Sequence, residues 1–498
     1  TPQNQLEAMN CAEADKWIKS QRAELESLVK HDVFAPTSDE EARSVENVTG
    51  TKFVHKIKKN GDGGIDKCKS RFVGRGFSQR EGIDYFHTCS PVMKSSSFRT
   101  LCSIASQKHL VGFEFDVSGA FLTAIVHEKV YIRAPDDLCE LLGLPSGSIV
   151  RCKKSLYGYK QSGRNFANEF SSHLTSIGFK QCVSDPCTCV YRKGNDYALL
   201  GIHVDDGICF ASSETLKSKI IEGLKSKCDL GTCRRLEQFL GLAIDQDQDG
   251  TIGINASRHI TELAEKFGVT DSNPVDTPAF SGVTIEPGEV IQGVPYRELI
   301  GSLMHVTVNA RPDAAHAVNV LSRFASAPTA QCWKSAKRAL THLYHTKDKS
   351  LVFRPNRDLS VQGNQSHYLR VYSDSDFGGA IDVQRRRRST TGYIVSHNNN
   401  VISWRSRIQR TPALSVCEAE LMAGVEGAQE GSYLLNLLSE LSPATCPSTL
   451  DVRTDDSGAE KICKNPGYTG RVKHIDLKCM CWFRRLRPRL ACAAGARV

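Results

Sequence analysis

The sequence predicts a multidomain protein of the α+β and α/β type, and three observations lead there. At 498 residues the chain is too long for one hydrophobic core, so two to four domains are expected. Short apolar runs of strand length recur through the first half, with Tyr197–Val204 and Ile208–Ser212 flanking a tight polar turn in the manner of a hairpin. Towards the C-terminus a strand, a hairpin, a long helix, a strand and a helix follow one another, an order that describes a mixed sheet with helices packed on it.

Taken in order, the first 50 residues are polar and loosely helical, with Leu6, Met9, Ala12, Trp17 and Ile18 near helical spacing. From Lys52 the pattern becomes strand-like: Lys52–Lys58, Lys67–Gly76, then Leu110–Asp116, which alternates and ends on a carboxylate. Leu156–Ser176 reads as a loop entering a helix. Residues 255–350 are mainly helical, and Pro274, Pro278, Pro287 and Pro295 mark an irregular connection. Asp348–Gln365 is polar and rich in turn residues, which predicts a domain boundary. Beyond it come a strand at Tyr368–Asp374, a hairpin at Gly392–Arg405, a helix at Val416–Leu441, a strand at Thr449–Thr454 and a helix after Lys473.

Composition excludes several classes. Hydrophobic residues at 40% and charged residues at 24% suit a globular protein rather than a disordered one. No apolar run approaches the ~18 residues needed to cross a bilayer, and no signal peptide opens the chain. The missing initiator Met predicts a piece of something longer. The net charge of +9 suits a polyanionic partner, although five arginines among the last fifteen residues supply more than half of it. The run Arg385-Arg386-Arg387-Arg388 reads either as a solvated loop or as a nucleic-acid contact. Nineteen scattered cysteines form neither a disulfide framework nor a zinc-site spacing.

Two groups of acids carry the chemistry. Asp116 closes an apolar strand, and Asp205 and Asp206 occupy the hairpin tip Gly201-Ile202-His203-Val204-Asp205-Asp206-Gly207-Ile208. If these converge, their mutual repulsion calls for cations between them, and two Mg²⁺ ions could activate a primer hydroxyl and stabilise a leaving pyrophosphate. The competing reading is plain turn chemistry, because Asp-Gly is a favoured hairpin turn. The second group is Asp374, Glu420, Asp455 and Asp476, each at the end of an element, where four acids could hold two metals for phosphodiester hydrolysis. The alternative is that each is a cap or an exposed acid. Ser415-Val416-Cys417-Glu418 matches a capping box, so Glu418 is expected to serve the helix end while Glu420 has no such duty. Gly424, Gly427 and Gly431 follow on one face, a stripe that permits close approach of a neighbour.

At these residues the sequence resembles a known family, the copia-type retrotransposon Pol polyproteins, in their reverse transcriptase and ribonuclease H region. Glu114–Leu122, Ser155–Gln161 and His203–Asp206 resemble the first polymerase motif, the distinctive loop and the Tyr-Val-Asp-Asp hairpin of that group. Lys69–Val73 and Gly76–Tyr85 match its fingers, and Tyr296–Met304, Arg311–Asp313 and Leu321–Phe324 its connecting region. Tyr372–Asp376, Arg388–Tyr393, Glu418–Glu420 and Lys473–Asp476 match its ribonuclease H domain. The likeness covers roughly residues 10–485, with the motifs in order.

The resemblance implies a right-hand polymerase (fingers, palm, thumb) followed by a ribonuclease H-like mixed-sheet domain. Its expected divisions are a helical lead-in (1–50), fingers and palm (51–250), thumb or connection (251–365), ribonuclease H (366–485) and a divergent tail (486–498). Asp116, Asp205 and Asp206 would bind the polymerase metals, and Asp374, Glu420, Asp455 and Asp476 those of the nuclease. Two Mg²⁺ ions per site are implied, with Mn²⁺ as a substitute. Lys69 and Arg71 would neutralise the incoming triphosphate, Phe121 would reject the ribose 2′-hydroxyl, and Gln161 would touch the nucleotide. The implied partners are an RNA template, a DNA primer, RNA–DNA hybrid, dNTPs and other pieces of the polyprotein, with no membrane and the oligomeric state left open. The implied location is cytoplasmic, with virus-like particles and a nuclear phase as further options. His203 stands where Tyr is usual, Gly163 for Pro and Phe166 for Trp, and the tail departs from the family, so a folded but catalytically decayed relic is the alternative. The triplet Asp456-Ser457-Gly458 imitates an aspartic-protease signature, but its position inside the nuclease motif argues against that role.

Overall fold

The computed structural model describes residues 2, 4–59, 65–356, 367–381, 387–464 and 490–494. The main elements begin with α1 (Ala14–Lys30), β1 (Thr51–Lys59), β2 (Ile65–Gly74), α2 (Ser95–Gln107), β3 (Val111–Val117), β4 (Ile125–Arg133), β5 (Ile149–Lys154) and α3 (Ser162–Ser176). Next come β6 (Thr188–Lys193), β7 (Asp196–His203), β8 (Asp206–Ala211), β9 (Leu230–Arg235), β10 (Ile252–Asn255), α4 (Ser257–Phe267), α5 (Tyr296–Asn309), α6 (Ala315–Ser322), α7 (Ala330–His345) and β11 (Leu351–Phe353). The chain then forms β12 (Leu369–Ile381), β13 (Arg387–His397), β14 (Asn400–Ile408), α8 (Val416–Leu441), β15 (Leu450–Thr454), α9 (Ser457–Lys464) and β16 (Leu490–Ala494).

The chain divides into two compact units that do not follow its linear order. The first comprises residues 1–92, 115–180 and 219–232, and the second residues 93–114, 181–218 and 233–498. In the first unit, Trp17, Gln21, Leu25 and Leu28 lie along the buried side of α1, the spacing of one helical face. Leu25 and Leu28 join Phe72, Val130, Ile132, Val150 and Leu156 in a core. A four-stranded sheet runs Phe34–Pro36, β5, β4, Val48–Thr49, so the lead-in is not wholly helical. β1 and β2 form a separate antiparallel ribbon with Val54 opposite Arg71 and Lys56 opposite Lys69.

The second unit is built on one continuous core. Leu101 and Ile104 of α2, Phe210 of β8, Leu299 and Leu303 of α5, Phe353, Val371 and Leu438 all belong to it. A six-stranded sheet of order β9-β3-β8-β7-β6 and then Phe179–Gln181 passes through this unit, the division between units crossing β3 after Glu114 and β9 after Thr232. Within the predicted boundary region Leu351–Phe353 forms β11, which pairs with Ile252–Ile254 of β10. Residues 357–366 lie outside the described residues. Arg99 of α2 is 4% exposed and donates to the carbonyls of Ile402 (2.7 Å) and Val308 (2.9 Å), while its guanidinium stacks 3.9 Å from the Trp404 ring. A buried charge is tolerable only when its donors are satisfied in this way.

The C-terminal sheet has the order β14-β13-β12-β15-β16. β12, β13 and β14 are antiparallel neighbours, and β15 runs parallel to β12. Parallel pairing needs a crossover, and α8 supplies it. The helix lies close on the sheet: a methyl group at Gly427 would fall 2.6 Å from Val371 Cγ1, and one at Gly431 would fall 2.8 Å from Val371 Cγ2 and Leu450 Cδ1. The glycine stripe therefore permits the close approach its spacing predicts. In the tail, Leu490–Ala494 pairs in parallel with Leu450–Thr454 as an edge strand. The helix expected after Lys473, with Asp476 on it, lies outside the described residues. No helix among the described residues is long and apolar enough to cross a membrane.

Candidate functional site

The acids of the C-terminal sheet assemble for reasons visible in its pairing. The β12–β15 register puts Leu369 opposite Leu450 and Tyr372 opposite Arg453. Two residues further along are Asp374 and Asp455, side by side. Asp455 follows the end of β15, but Asp374 lies inside β12, opposite Gly392, which corrects the expectation that it ends its strand: pairing with β13 carries β12 on to Ile381. Glu420 comes from the second turn of α8. The helix starts on Ser415, whose Oγ accepts from Glu418 N at 3.1 Å, and Glu418 Oε2 accepts from Leu414 N at 2.7 Å. Glu418 serves the helix end, as its capping pattern predicts. Gln409 fastens the same end, donating from Nε2 to Ala419 O (3.0 Å) and Thr391 Oγ1 (3.2 Å).

Carboxylate oxygens of Asp374, Glu420 and Asp455 lie within 4.8 Å of one another. Glu420 is 4% exposed, and its Oε1 accepts from Ser375 N (3.0 Å) and Ser375 Oγ (2.6 Å). Its Oε2 is buried without a hydrogen-bond partner among the described residues. Burial pushes the Glu420 carboxyl up to about 7; the charges of Asp374 and Asp455 add to this, and the Ser375 hydrogen bonds oppose it. Three close carboxylates with a desolvated, uncommitted oxygen form a hard-oxygen donor set, and it fits a divalent ion such as Mg²⁺ or Mn²⁺. Asp456 has a separate duty: its Oδ1 accepts from Ala459 N at 2.5 Å and caps α9, which removes the protease-like reading.

The second acidic element is the β7–β8 hairpin. His203 pairs with Asp206 and Ile202 with Gly207, so the two loop residues are Val204 and Asp205. This corrects the reading of Asp206-Gly207 as the turn: both lie in β8. Val204 has φ +61°, a left-handed conformation that β-branched residues rarely adopt. Turn propensity would place Gly or Asn there, so plain turn chemistry does not explain this tip. Strain of this kind persists where its surroundings impose it, often at functional sites. Burial lowers the pKa of His203, and the Asp205 charge opposes that shift.

In the first unit, β2 alternates, burying Cys68, Ser70 and Phe72 and leaving Lys69 and Arg71 together on its other face. The Arg71 guanidinium lies 4.8 Å from the centre of the Tyr157 ring, and that ring meets Phe121 edge-on at 4.8 Å. Phe121 also meets Phe166 at 6.1 Å. The structure thus brings Arg71 and Phe121 onto one shared ring. Gln161 is 1% exposed; its Oε1 accepts from Gln79 (3.0 Å), and its Nε2 donates to Asp84 O (2.8 Å). Its amide pins the loop to the fingers segment. Asp116 is on β3 beside β9, where a methyl group at Gly231 would fall 2.8 Å from Asp116 Oδ2. Asp116 belongs to the first unit, and Asp205 and Asp206 to the second.

Ser375 and Tyr157 stood in recognised motifs but were given no role, and Gln409 and Gly231 were not singled out at all. Ser375 is next to a named acid, and a glycine inside a strand signals close backbone approach. Gln409 carried no signal.

Comparison with known proteins agrees with this architecture. Residues 41–281 match the family model described as reverse transcriptase (RNA-dependent DNA polymerase). A Pol polyprotein of transposon TNT 1-94 from Nicotiana tabacum is 31% identical over 496 residues, covering 97% of this chain and 36% of the relative. One of transposon RE2 from Arabidopsis thaliana is 28% identical over 482 residues, covering 96% and 32%. The Ty1-DR5 Gag-Pol polyprotein of Saccharomyces cerevisiae is 27% identical over 474 residues, covering 90% and 26%. Among solved structures, a foamy viral protease-reverse transcriptase in complex with double-stranded DNA matches with a TM-score of 0.54 at 14% identity, covering 97% of this chain and 70% of that one; that likeness is one of fold. In sequence the chain is thus similar to a segment of Pol polyproteins that includes the reverse transcriptase family region, and in fold to a reverse transcriptase. The relatives it matches are copia-type retrotransposon Pol polyproteins, and it spans about a third of the length of the plant ones.

Proposed function

We propose that this segment is an RNA-directed DNA polymerase joined to a ribonuclease H, each working by phosphoryl transfer at a pair of divalent ions. The observation that carries the nuclease half is the Asp374–Glu420–Asp455 cluster with its buried, uncommitted Glu420 oxygen. These three, with Asp476 by resemblance, would hold the ions. Ser375 fixes one Glu420 oxygen, so the other is left to face a ligand. Bound Mg²⁺ would lower the pKa of water and neutralise charge on the phosphate being cleaved.

For the polymerase half, Asp116, Asp205 and Asp206 are the acids that the resemblance assigns to metal. The strained Val204 supports that reading over turn chemistry. Lys69 and Arg71 would take the triphosphate, and Phe121 would exclude a ribose 2′-hydroxyl; Tyr157, touching both Arg71 and Phe121, supports their acting on one ligand. Gln161, expected to touch the nucleotide, is instead buried with its amide committed to Gln79 and Asp84, so it would serve the site only by pinning its loop.

The test is primer extension on an RNA template and cleavage of an RNA–DNA hybrid, run on the unaltered protein, Asp205→Asn and Glu420→Gln. The proposal expects the first substitution to abolish extension and the second cleavage. An unaltered protein that extends no primer at any Mg²⁺ concentration while still binding hybrid would be a decayed relic.

A further inference from the structure

β2 is one strand of a two-stranded ribbon, so among the described residues one of its edges has no neighbouring strand, beyond a single Val73–Tyr157 bridge, to accept its N–H groups. That edge is nevertheless satisfied. Ser70 N donates to Ser20 Oγ at 2.8 Å, Phe72 N to Glu24 Oε1 at 3.2 Å, and Gly74 N to the Tyr157 carbonyl at 2.8 Å. Ser20 and Glu24 are four residues apart on α1, the helix whose neighbouring face is buried through Gln21, Leu25 and Leu28.

The geometry explains why a helix can do this. Four residues of helix rise about 6 Å, and two residues of strand about 6.7 Å. Acceptors at i and i+4 on a helix therefore match alternate N–H groups on a strand. Side chains of α1 stand in for the carbonyls of a missing strand. The bonded residues, Ser70 and Phe72, alternate with Lys69 and Arg71, so whatever holds the first pair fixes the height and direction of the second. Glu24 also lies near enough to Lys69 and Arg71 to feel their charge.

We infer that Ser20 and Glu24 are positioning residues for nucleotide binding: α1 holds β2 so that Lys69 and Arg71 meet the triphosphate together. The inference rests on the proposed polymerase reading. It gives the lead-in helix a role in dNTP affinity that its polar sequence does not announce.

The test needs no chemistry. Primer–template ending in a dideoxynucleotide is bound to the full chain, and the Kd for the next dNTP is read from the stabilised ternary complex. Glu24→Leu and the double substitution Ser20→Ala, Glu24→Leu should each raise that Kd about tenfold, the factor that ~1.4 kcal/mol corresponds to. Glu24→Gln keeps an acceptor at the same place and should stay within twofold. Affinity for primer–template alone should not change. Amide exchange across residues 68–74 should accelerate in Glu24→Leu and not in Glu24→Gln, which reports on the brace even if the double variant folds poorly. Equal dNTP affinity in Glu24→Leu and the unaltered protein overturns the inference, as does unchanged exchange. An unaltered protein that forms no dNTP complex overturns the polymerase reading itself, a distinct outcome.

Discussion

The two sets of acids rest on different foundations. Of the acids proposed for the nuclease, Asp374, Glu420 and Asp455 lie within one unit: Asp374 is inside β12, Asp455 follows the end of the adjacent parallel β15, and Glu420 comes from a helix packed closely on the sheet at its glycines. One acid is buried and two are exposed, so the repulsion is concentrated where no water relieves it. Of the hairpin acids Asp205 is half-buried and Asp206 exposed, neither as buried as Glu420, and their tip carries backbone strain at Val204. The lesson is that one cluster stores its readiness for a cation in desolvated charge, the other in backbone conformation.

The largest expected effects separate the two sets. Asp205→Asn should reduce primer extension by about 10³-fold or more, the scale of losing a charge aimed at the transition state, while hybrid cleavage stays within twofold. Glu420→Gln should reduce cleavage by more than about 10²-fold, beyond what loss of an outer-shell partner costs, and leave extension intact. Single-turnover assays of both reactions on both variants give the answer. If either substitution silences both activities, the division of labour is wrong.

The packing under Glu420 can be tested without touching an acid. Gly431→Ala should destabilise the fold by about 1–3 kcal/mol, because the added methyl meets Val371 and Leu450 in a filled space. Denaturant midpoints measure this. A Gly431→Ala protein as stable as its parent would mean that α8 does not depend on that approach.

The desolvated-charge idea carries a pH signature. The Glu420 carboxyl is raised by burial first and neighbouring acids second. Its neutral form is therefore favoured in the metal-free fold; the stability this brings is full below the ordinary carboxylate range and lost as pH rises through about 7. Mg²⁺ prefers the ionised form, so the gain in Tm on adding Mg²⁺ should grow from pH 6 to pH 8. Glu420→Gln should flatten both trends. A Mg²⁺ gain independent of pH would show that Glu420 is not the titrating ligand.

Much of this was legible in the chain. The helix Val416–Leu441 could be bounded because its cap, its glycine stripe and its end are local signals, and three of the acids were rightly grouped, although Asp374, expected at a strand end, lies inside β12. The hairpin was legible but its turn was not: Asp-Gly propensity argued for one loop, and the actual pairing, His203 with Asp206, selected another. Strands such as Ile252–Asn255 were missed because so short a strand carries little signal of its own and is defined by its partners, here the nearby Leu242–Gln246 and the distant Leu351–Phe353. The same holds for Gln409, whose value to Glu420 exists only once β14 and α8 have met. Local chemistry announces itself in sequence, and long-range support does not.

The smallest expected effect concerns the hairpin tip alone. A non-glycine residue in the left-handed region costs roughly 1–2 kcal/mol, and Val204 adds a branched Cβ. Val204→Gly should therefore stabilise the fold, by about 1 kcal/mol at most once the extra freedom of glycine in the unfolded chain is counted. If the strain holds Asp205 in its working direction, extension should fall severalfold even as stability rises. Opposite movement of these two measurements is the signature of stored strain. Should both rise together, the Val204 conformation is incidental, and the hairpin acids would depend, like the nuclease set, on charge alone.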